Sequence, residues 1–150
     1  MTKREIAENY FKEGYNCAQA VVLSFCEEIK MDKKTALMTA SGFGGGLGRL
    51  REVCGAVSGM VFVLSALEGS FDPKDSESKM QIYKKVQELV GKFKEKNGSY
   101  ICRELLNLAN EKVSCVPDSR TSEYYKKRPC ALLVGDAAEI LSEYLNNKNK

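Results

Sequence analysis

The sequence contains no histidine, and this absence excludes a large part of enzyme chemistry. Without an imidazole there can be no Ser-His-Asp triad, no Cys-His dyad, no HExxH zinc site and no histidine-ligated haem. A metal ion would have to be held by thiolates, carboxylates or backbone groups. No two of the six cysteines are separated by just two residues, so thioredoxin-like motifs, zinc ribbons and c-type haem attachment are unsupported as well.

Long apolar runs are also missing. The most apolar window covers residues 56–67 and is too short for a membrane span, which needs about 20 residues. The first eight residues include acidic side chains and no apolar stretch, so we do not expect a secretory signal peptide. These features predict a soluble, cytoplasmic protein without a membrane partner, in a compartment that keeps thiols reduced.

Charge of either sign is not concentrated in the chain. The net charge is only +3, and the densest basic stretch, residues 126–128, is expected to be a solvated loop. This balance does not favour a nucleic-acid partner. With 150 residues, 43% of them apolar and 29% charged, the chain is typical of one globular domain over residues 1–150.

Apolar residues recur at helical spacing, and no strand-like alternation has any length. The pattern predicts an all-α fold, a compact single-domain bundle of six or seven helices. We expect residues 110–128 to be an irregular loop and residues 146–150 a frayed tail. Seven helices are predicted. The first begins after the Thr2 cap and ends at Gly14, and the sixth follows a Ser99 cap and includes residues 102–108. The other five cover residues 17–28, 32–40, 54–68, 76–96 and 129–145.

A glycine-rich segment precedes the most apolar helix, which should be central and buried. Residues 42–48 contain five glycines and cannot form an ordinary helix. No Lys-Ser/Thr pair follows and no strand precedes, so a nucleotide-binding loop is weakly supported. One interpretation is a backbone nest that offers N–H donors to sulfur, a cluster or an anion, with Arg49, Arg51 or Glu52 adding a fixed charge. The other is a tight passage past a crowded core. The candidate cofactor-binding residues are Gly44, Gly45, Gly46, Arg49 and Gly55.

Four cysteines share a position in the predicted helices. Each falls in a first turn, where the helix dipole and unpaired N–H groups favour thiolate over thiol and can lower the thiol pKa. Cys26 points the opposite way on its helix and Cys115 lies in the predicted loop, so both are left out of the site. The alternative is that the cysteines simply pack in the core, as free cysteine often does. The four candidates are Cys17, Cys54, Cys102 and Cys130.

Together these motifs resemble the C_GCAxxG_C_C family of redox-active proteins. The name describes four spaced cysteines, the second inside a Cys-Gly-Ala-x-x-Gly motif. The resemblance covers about residues 5–145 and implies a redox role based on the four cysteines, without a substrate. The matching segments are CGAVSG at residues 54–59, YNCAQAV at 15–21, GFGGG at 42–46, and the later Cys102 and Cys130.

Three functions stay open. The first is a thiol–disulfide or electron-transfer protein, an oxidoreductase in character, in which we would test Cys54 with Cys102 or Cys130 as the pair. The second is a metal or iron–sulfur module that uses the same four cysteines as ligands. The third is a non-catalytic helical interaction protein with core cysteines. A redox partner protein is expected for the first, and a homodimer is compatible with a glycine-faced helix.

Overall fold

The structure is a computed structural model that describes residues 1–108 and 112–148. Over these residues the chain forms nine α-helices and no strand, so the all-α prediction is confirmed. A turn of 3₁₀-helix, Ser41–Phe43, follows the fourth helix. The helices are α1 Lys3–Lys12, α2 Cys17–Ser24, α3 Cys26–Ile29, α4 Lys33–Ala40, α5 Gly55–Glu68, α6 Ser76–Asn97, α7 Cys102–Leu105, α8 Ser122–Lys127 and α9 Cys130–Lys148.

Side-chain caps start the N-terminal helices at defined residues. The Thr2 hydroxyl accepts a hydrogen bond from the Glu5 backbone N–H at 3.1 Å and begins α1. Asn16 accepts from the Gln19 N–H at 2.9 Å, and the Gln19 side chain accepts from the Asn16 N–H at 3.1 Å. Such reciprocal caps satisfy donors that the first turn leaves unpaired, and each contributes about 1 kcal/mol. The Asn16 cap therefore sets Cys17 as the first residue of α2.

Helix α5 lies at the centre of the molecule and packs against α2, α6 and α9. Its residues Val57, Met60, Val63 and Leu64 are fully buried, as predicted for the most apolar helix. Helix α1 packs against α2 and α9 and completes the core. A bundle with a buried central helix holds the starts of its neighbours in fixed positions, and this is what assembles the site described below.

Two predicted helices differ from those observed. The predicted helix 17–28 is interrupted at Phe25, where φ is −119° and the ring is buried. The hydroxyl of the preceding Ser24 donates to the Ala20 carbonyl at 2.7 Å, which competes with a continuing helical ladder. The helix expected after a Ser99 cap begins only at Cys102, because the Ser99 hydroxyl accepts instead from the Ile101 N–H at 2.9 Å and forms a turn.

The C-terminal part also departs from the prediction. Part of the expected loop, residues 122–127, is helix α8, capped by the Thr121 hydroxyl. The first two residues of that loop, 110–111, lie outside the described residues. Helix α9 continues to Lys148, three residues beyond the predicted end at residue 145, while 149–150 lie outside the description. The Lys148 ammonium reaches the buried Glu68 carboxylate at 2.8 Å, which anchors the last turn. No helix in the described residues is long and apolar enough to cross a membrane.

Candidate functional site

One cavity of about 420 Å³ lies where α2, α5, α7 and α9 begin. Its wall is completed by the glycine-rich loop and by the segment that precedes α8. All nine candidate site residues predicted from the sequence lie on this wall. These residues are Cys17, Cys54, Cys102, Cys130, Gly44, Gly45, Gly46, Arg49 and Gly55.

A short antiparallel bridge brings two of the cysteines together. Val53 pairs with Ile101 just ahead of α5 and α7. The Cys54 N–H donates to the Tyr100 carbonyl at 2.9 Å, and the Cys102 N–H donates to the Glu52 carbonyl at 2.6 Å. The bridge therefore aligns the starts of two helices that are distant in sequence, and both thiols face the same cavity.

The glycine-rich loop forms a left-handed coil. Five consecutive residues, 45–49, have positive φ. The backbone N–H groups of residues 47–52 donate to carbonyls within the loop at 2.8–3.3 Å, so these six donors are already engaged. This does not favour an anion-binding nest built from those donors.

Close packing against neighbouring segments explains why glycine occupies these positions better than an anion-binding nest does. A Cβ on Gly46 would lie 2.6 Å from the Cys102 Cβ, and one on Gly44 would lie 2.6 Å from the Asn16 side chain. On α5, a Cβ at Gly55 would lie 3.1 Å from the Cys17 Cβ. These positions let the backbone pass against the segments that hold the cysteines, which matches the alternative of a tight passage.

The cysteines occupy helix starts, but three of them do not gain the expected lowered pKa. Cys17, Cys102 and Cys130 each begin a helix, and Cys54 precedes α5 as its N-cap. Burial raises the pKa of Cys54 to about 12, although the N–H groups of α5 oppose this. Burial also raises the pKa of Cys102, against the opposing charge of Arg51. The expectation of a lowered pKa at all four positions is wrong, because desolvation outweighs the helix terminus at Cys54 and Cys102, and because the interaction with Cys130, together with burial, raises the pKa of Cys17.

Cys130 is the exception, and its partner is Cys17. A hydrogen bond donated by the Cys17 thiol is the largest cause that lowers the pKa of Cys130, to about 7, despite burial. The guanidinium groups of Arg128, Arg120 and Arg51 lower it further. The same hydrogen bond, with burial, raises the pKa of Cys17 well above its ordinary value. Of the two thiols, Cys130 is therefore the one that ionises first as the pH rises, while Cys17 keeps its proton.

Arginines surround this pair. The buried Arg51 donates to the Cys102 sulfur at 3.8 Å. Arg49 and Arg128 contact the Asp118 carboxylate at 2.9 and 3.4 Å. Sequence reasoning missed Arg128 as a cavity residue, and its position two residues before Cys130 was the available signal.

Arg120 was missed altogether. Its guanidinium donates to the main-chain carbonyls of Phe11 at 2.9 Å and Tyr15 at 3.0 Å, and it also lines the cavity. No local sequence motif marks this residue. Glu52, by contrast, was weighed as a fixed charge but pairs with Arg103 at 2.6 Å and is not among the residues that line the cavity.

The two cysteines left out of the site have different surroundings. Cys26 is absent from the cavity lining, and its thiol donates to the Val22 carbonyl at 3.8 Å. Cys115 is exposed and lines the cavity, so the structure brings it close to the four candidates although the sequence placed it in a loop. Within residues 1–108 and 112–148, no three histidine, cysteine, aspartate or glutamate side chains are grouped so that they could hold a metal ion.

Comparison with known proteins adds one finding. Searches of curated proteins and of solved structures found no significant match. A family profile described as "Putative redox-active protein (C_GCAxxG_C_C)" matches residues 15–144, a range that includes all four cysteines of the motif. Because this match covers most of the chain, the protein belongs to the C_GCAxxG_C_C redox-active family.

Proposed function

We propose that this chain is a thiol–disulfide redox protein in which Cys130 is the nucleophile and Cys17 the resolving thiol. The observation that carries the proposal is the shared position of these two side chains on one cavity wall, where their interaction lowers the pKa of Cys130 and raises that of Cys17. It places a thiolate beside a thiol, the arrangement that thiol–disulfide exchange requires. Membership in a redox-active family supports the same general role.

The reaction would proceed in two exchanges. The Cys130 thiolate attacks one sulfur of a disulfide, a mixed disulfide forms, and the other sulfur leaves as a thiolate. That thiolate takes the proton of Cys17, and the Cys17 sulfur then attacks Cys130. The mixed disulfide breaks, a Cys17–Cys130 disulfide forms, and two electrons have passed from the protein to the substrate.

The other thiols do not compete for the first step. Cys54 and Cys102 have raised pKa values, so they are thiols near neutral pH and are poor attacking groups. Arg128, Arg120 and Arg51 stabilise the Cys130 thiolate through their charge. The redox partner protein, the homodimer and the cytoplasmic location remain predictions.

Disulfide mapping tests the proposal directly. Brief oxidation with diamide, followed by peptide mass spectrometry, should give a Cys17–Cys130 disulfide first. When a small disulfide replaces diamide, the C17S variant should instead accumulate a mixed disulfide between that compound and Cys130, because no resolving thiol follows. The C26S variant is the control, since Cys26 is not among the cavity residues, and it should behave as the unaltered chain does. A first disulfide between any other two cysteines would contradict the assignment.

A further inference from the structure

We propose that the cavity takes a small disulfide bearing a carboxylate, whose anionic group lies against Arg120 and Arg128 while its sulfur meets Cys130. This inference rests on the proposed function and specifies its substrate class. The overall change would be oxidation of the Cys17–Cys130 dithiol and reduction of the substrate to two thiols. Charge, cavity size and lining chemistry carry the inference.

Positive charge predominates on the described part of the cavity wall. Of the lining residues that the structure describes, four are arginines and only one, Asp118, is acidic. Arg120 donates to two main-chain carbonyls, and no carboxylate in the described residues lies within ion-pairing distance of it. A neutral carbonyl orients a guanidinium but does not cancel its charge. A bound carboxylate would supply that compensation.

Arg128 adds a second guanidinium beside the nucleophile. It contacts Asp118 at 3.4 Å and packs over the Tyr124 ring, with 5.5 Å between the guanidinium carbon and the ring centroid. Arg120 lies over the same ring at 5.1 Å. One aromatic ring therefore holds both cations on the side of the cavity that carries Cys130, where each lowers the pKa of that thiol.

Size and lining define the rest of the ligand. A volume of about 420 Å³ is at the lower end for small-molecule sites, which run from roughly 300 to 1,000 Å³. Exposed residues Cys115 and Pro117 are part of the wall, so the cavity reaches the surface. Leu105, Leu106 and Leu133 supply apolar contacts for a carbon skeleton. A compact organic disulfide with a carboxylate matches all three features.

The test compares an anionic and a neutral aromatic disulfide reagent. Dithiobis(nitrobenzoate) carries a carboxylate on each ring, whereas dithiodipyridine is neutral. Rates are measured by stopped flow in a full-length C26S/C115S background, and mass spectrometry assigns the reacting thiol. The quantity of interest is the ratio of the anionic rate to the neutral rate at Cys130. Because both reagents consume the thiolate, this ratio cancels any change in the thiolate fraction.

We expect R128Q to lower the ratio by roughly three- to tenfold, the effect of removing one nearby unit charge. K127Q is the matched control, since Lys127 precedes Arg128, pairs with Glu123 and is not among the cavity residues. It should leave the ratio unchanged. In the parent protein, which retains Arg128, raising the salt concentration should lower the ratio of the anionic rate to the neutral rate. This measurement does not depend on how the R128Q variant folds.

The outcomes separate the two proposals. If Cys130 reacts readily but the ratio is the same in R128Q and its parent, and does not respond to salt, the anionic substrate is overturned and the thiol–disulfide function stands. If Cys130 reacts with neither reagent while another thiol does, the proposed function is overturned and this inference with it.

Discussion

Three residues in and beside the glycine-rich loop adopt a left-handed backbone conformation that residues other than glycine rarely occupy. Leu47, Arg49 and Arg51 have φ of 72°, 65° and 61°. A left-handed conformation costs roughly 1–2 kcal/mol for a residue with a Cβ. Such conformations persist where the surroundings over-determine them, and here the internal hydrogen bonds and the Arg49–Asp118 ion pair do so. Gly45, Gly46 and Gly48 share this left-handed path, and without a Cβ they adopt it at little cost.

Alanine at Gly46 should destabilise the protein and disturb the site. The residue has φ of +70°, and a Cβ there would lie 2.6 Å from Cys102 and 2.8 Å from the Glu52 nitrogen. The backbone term alone predicts a loss of about 1–2 kcal/mol in the free energy of unfolding. Urea denaturation measures it. G42A is the control, because no atom would lie within 4 Å of a Cβ at Gly42 and its φ is not left-handed. Equal stabilities of the two variants would contradict this account.

The crossing of α2 and α5 determines how close Cys17 and Cys54 lie. Gly55 and Gly59 lie four residues apart on α5, and both face α2. A Cβ at Gly59 would lie 2.9 Å from the Ala18 carbonyl oxygen and 3.0 Å from the Val21 Cβ. The backbone atoms of α2 cannot move aside as the end of a flexible side chain can. Glycine at these two positions therefore lets the helices pack more closely than larger residues would allow.

Alanine at Gly59 should therefore reduce stability, although alanine is the better helix former. Overpacking a core typically costs about 1–3 kcal/mol, which exceeds the gain in helix propensity. G91A is the matched control in α6, because no atom would lie within 4 Å of a Cβ at Gly91. G91A should raise the free energy of unfolding by roughly 0.5–1 kcal/mol. Thermal or urea unfolding of both variants gives the comparison, and a stabilised G59A would show that α5 and α2 can move apart.

Across the whole molecule, stability is coupled to the protonation of its thiols. The pKa of Cys54 is about 12 in the folded protein against an ordinary value of 9. Its contribution to stability is therefore fully present below pH 9 and is lost as the pH rises toward 12. The shift arises from burial in the centre of the bundle, so it reports on global unfolding.

We expect the unfolding free energy to fall by up to roughly 1.4 kcal/mol per pH unit above pH 9 through Cys54 alone. The C54A variant removes this contribution, so the difference in stability between the parent and C54A should narrow as the pH rises. C115A serves as control because Cys115 is exposed. Denaturant titrations at several alkaline pH values measure the differences. A constant difference between the parent and C54A would contradict a buried, protonated Cys54.

Interactions between residues close in sequence made many of the helix ends predictable. The Thr2 and Asn16 caps and the Asn97–Gly98 stop depend on neighbours within four residues, and the structure places helix ends there. The helix-start positions of Cys17, Cys54 and Cys130 follow from the same short-range signals. The break at Phe25 was not predictable, because burying its ring depends on contacts distant in sequence.

The sequence alone excluded chemistry that needs histidine, and it singled out four cysteines at or next to the starts of helices as the candidate site. Only the tertiary structure decided which thiol ionises. Burial raises the pKa of Cys54 and Cys102, whereas the Cys17 hydrogen bond and the arginines lower that of Cys130. These influences come from residues distant along the chain, and desolvation depends on what surrounds a group in space.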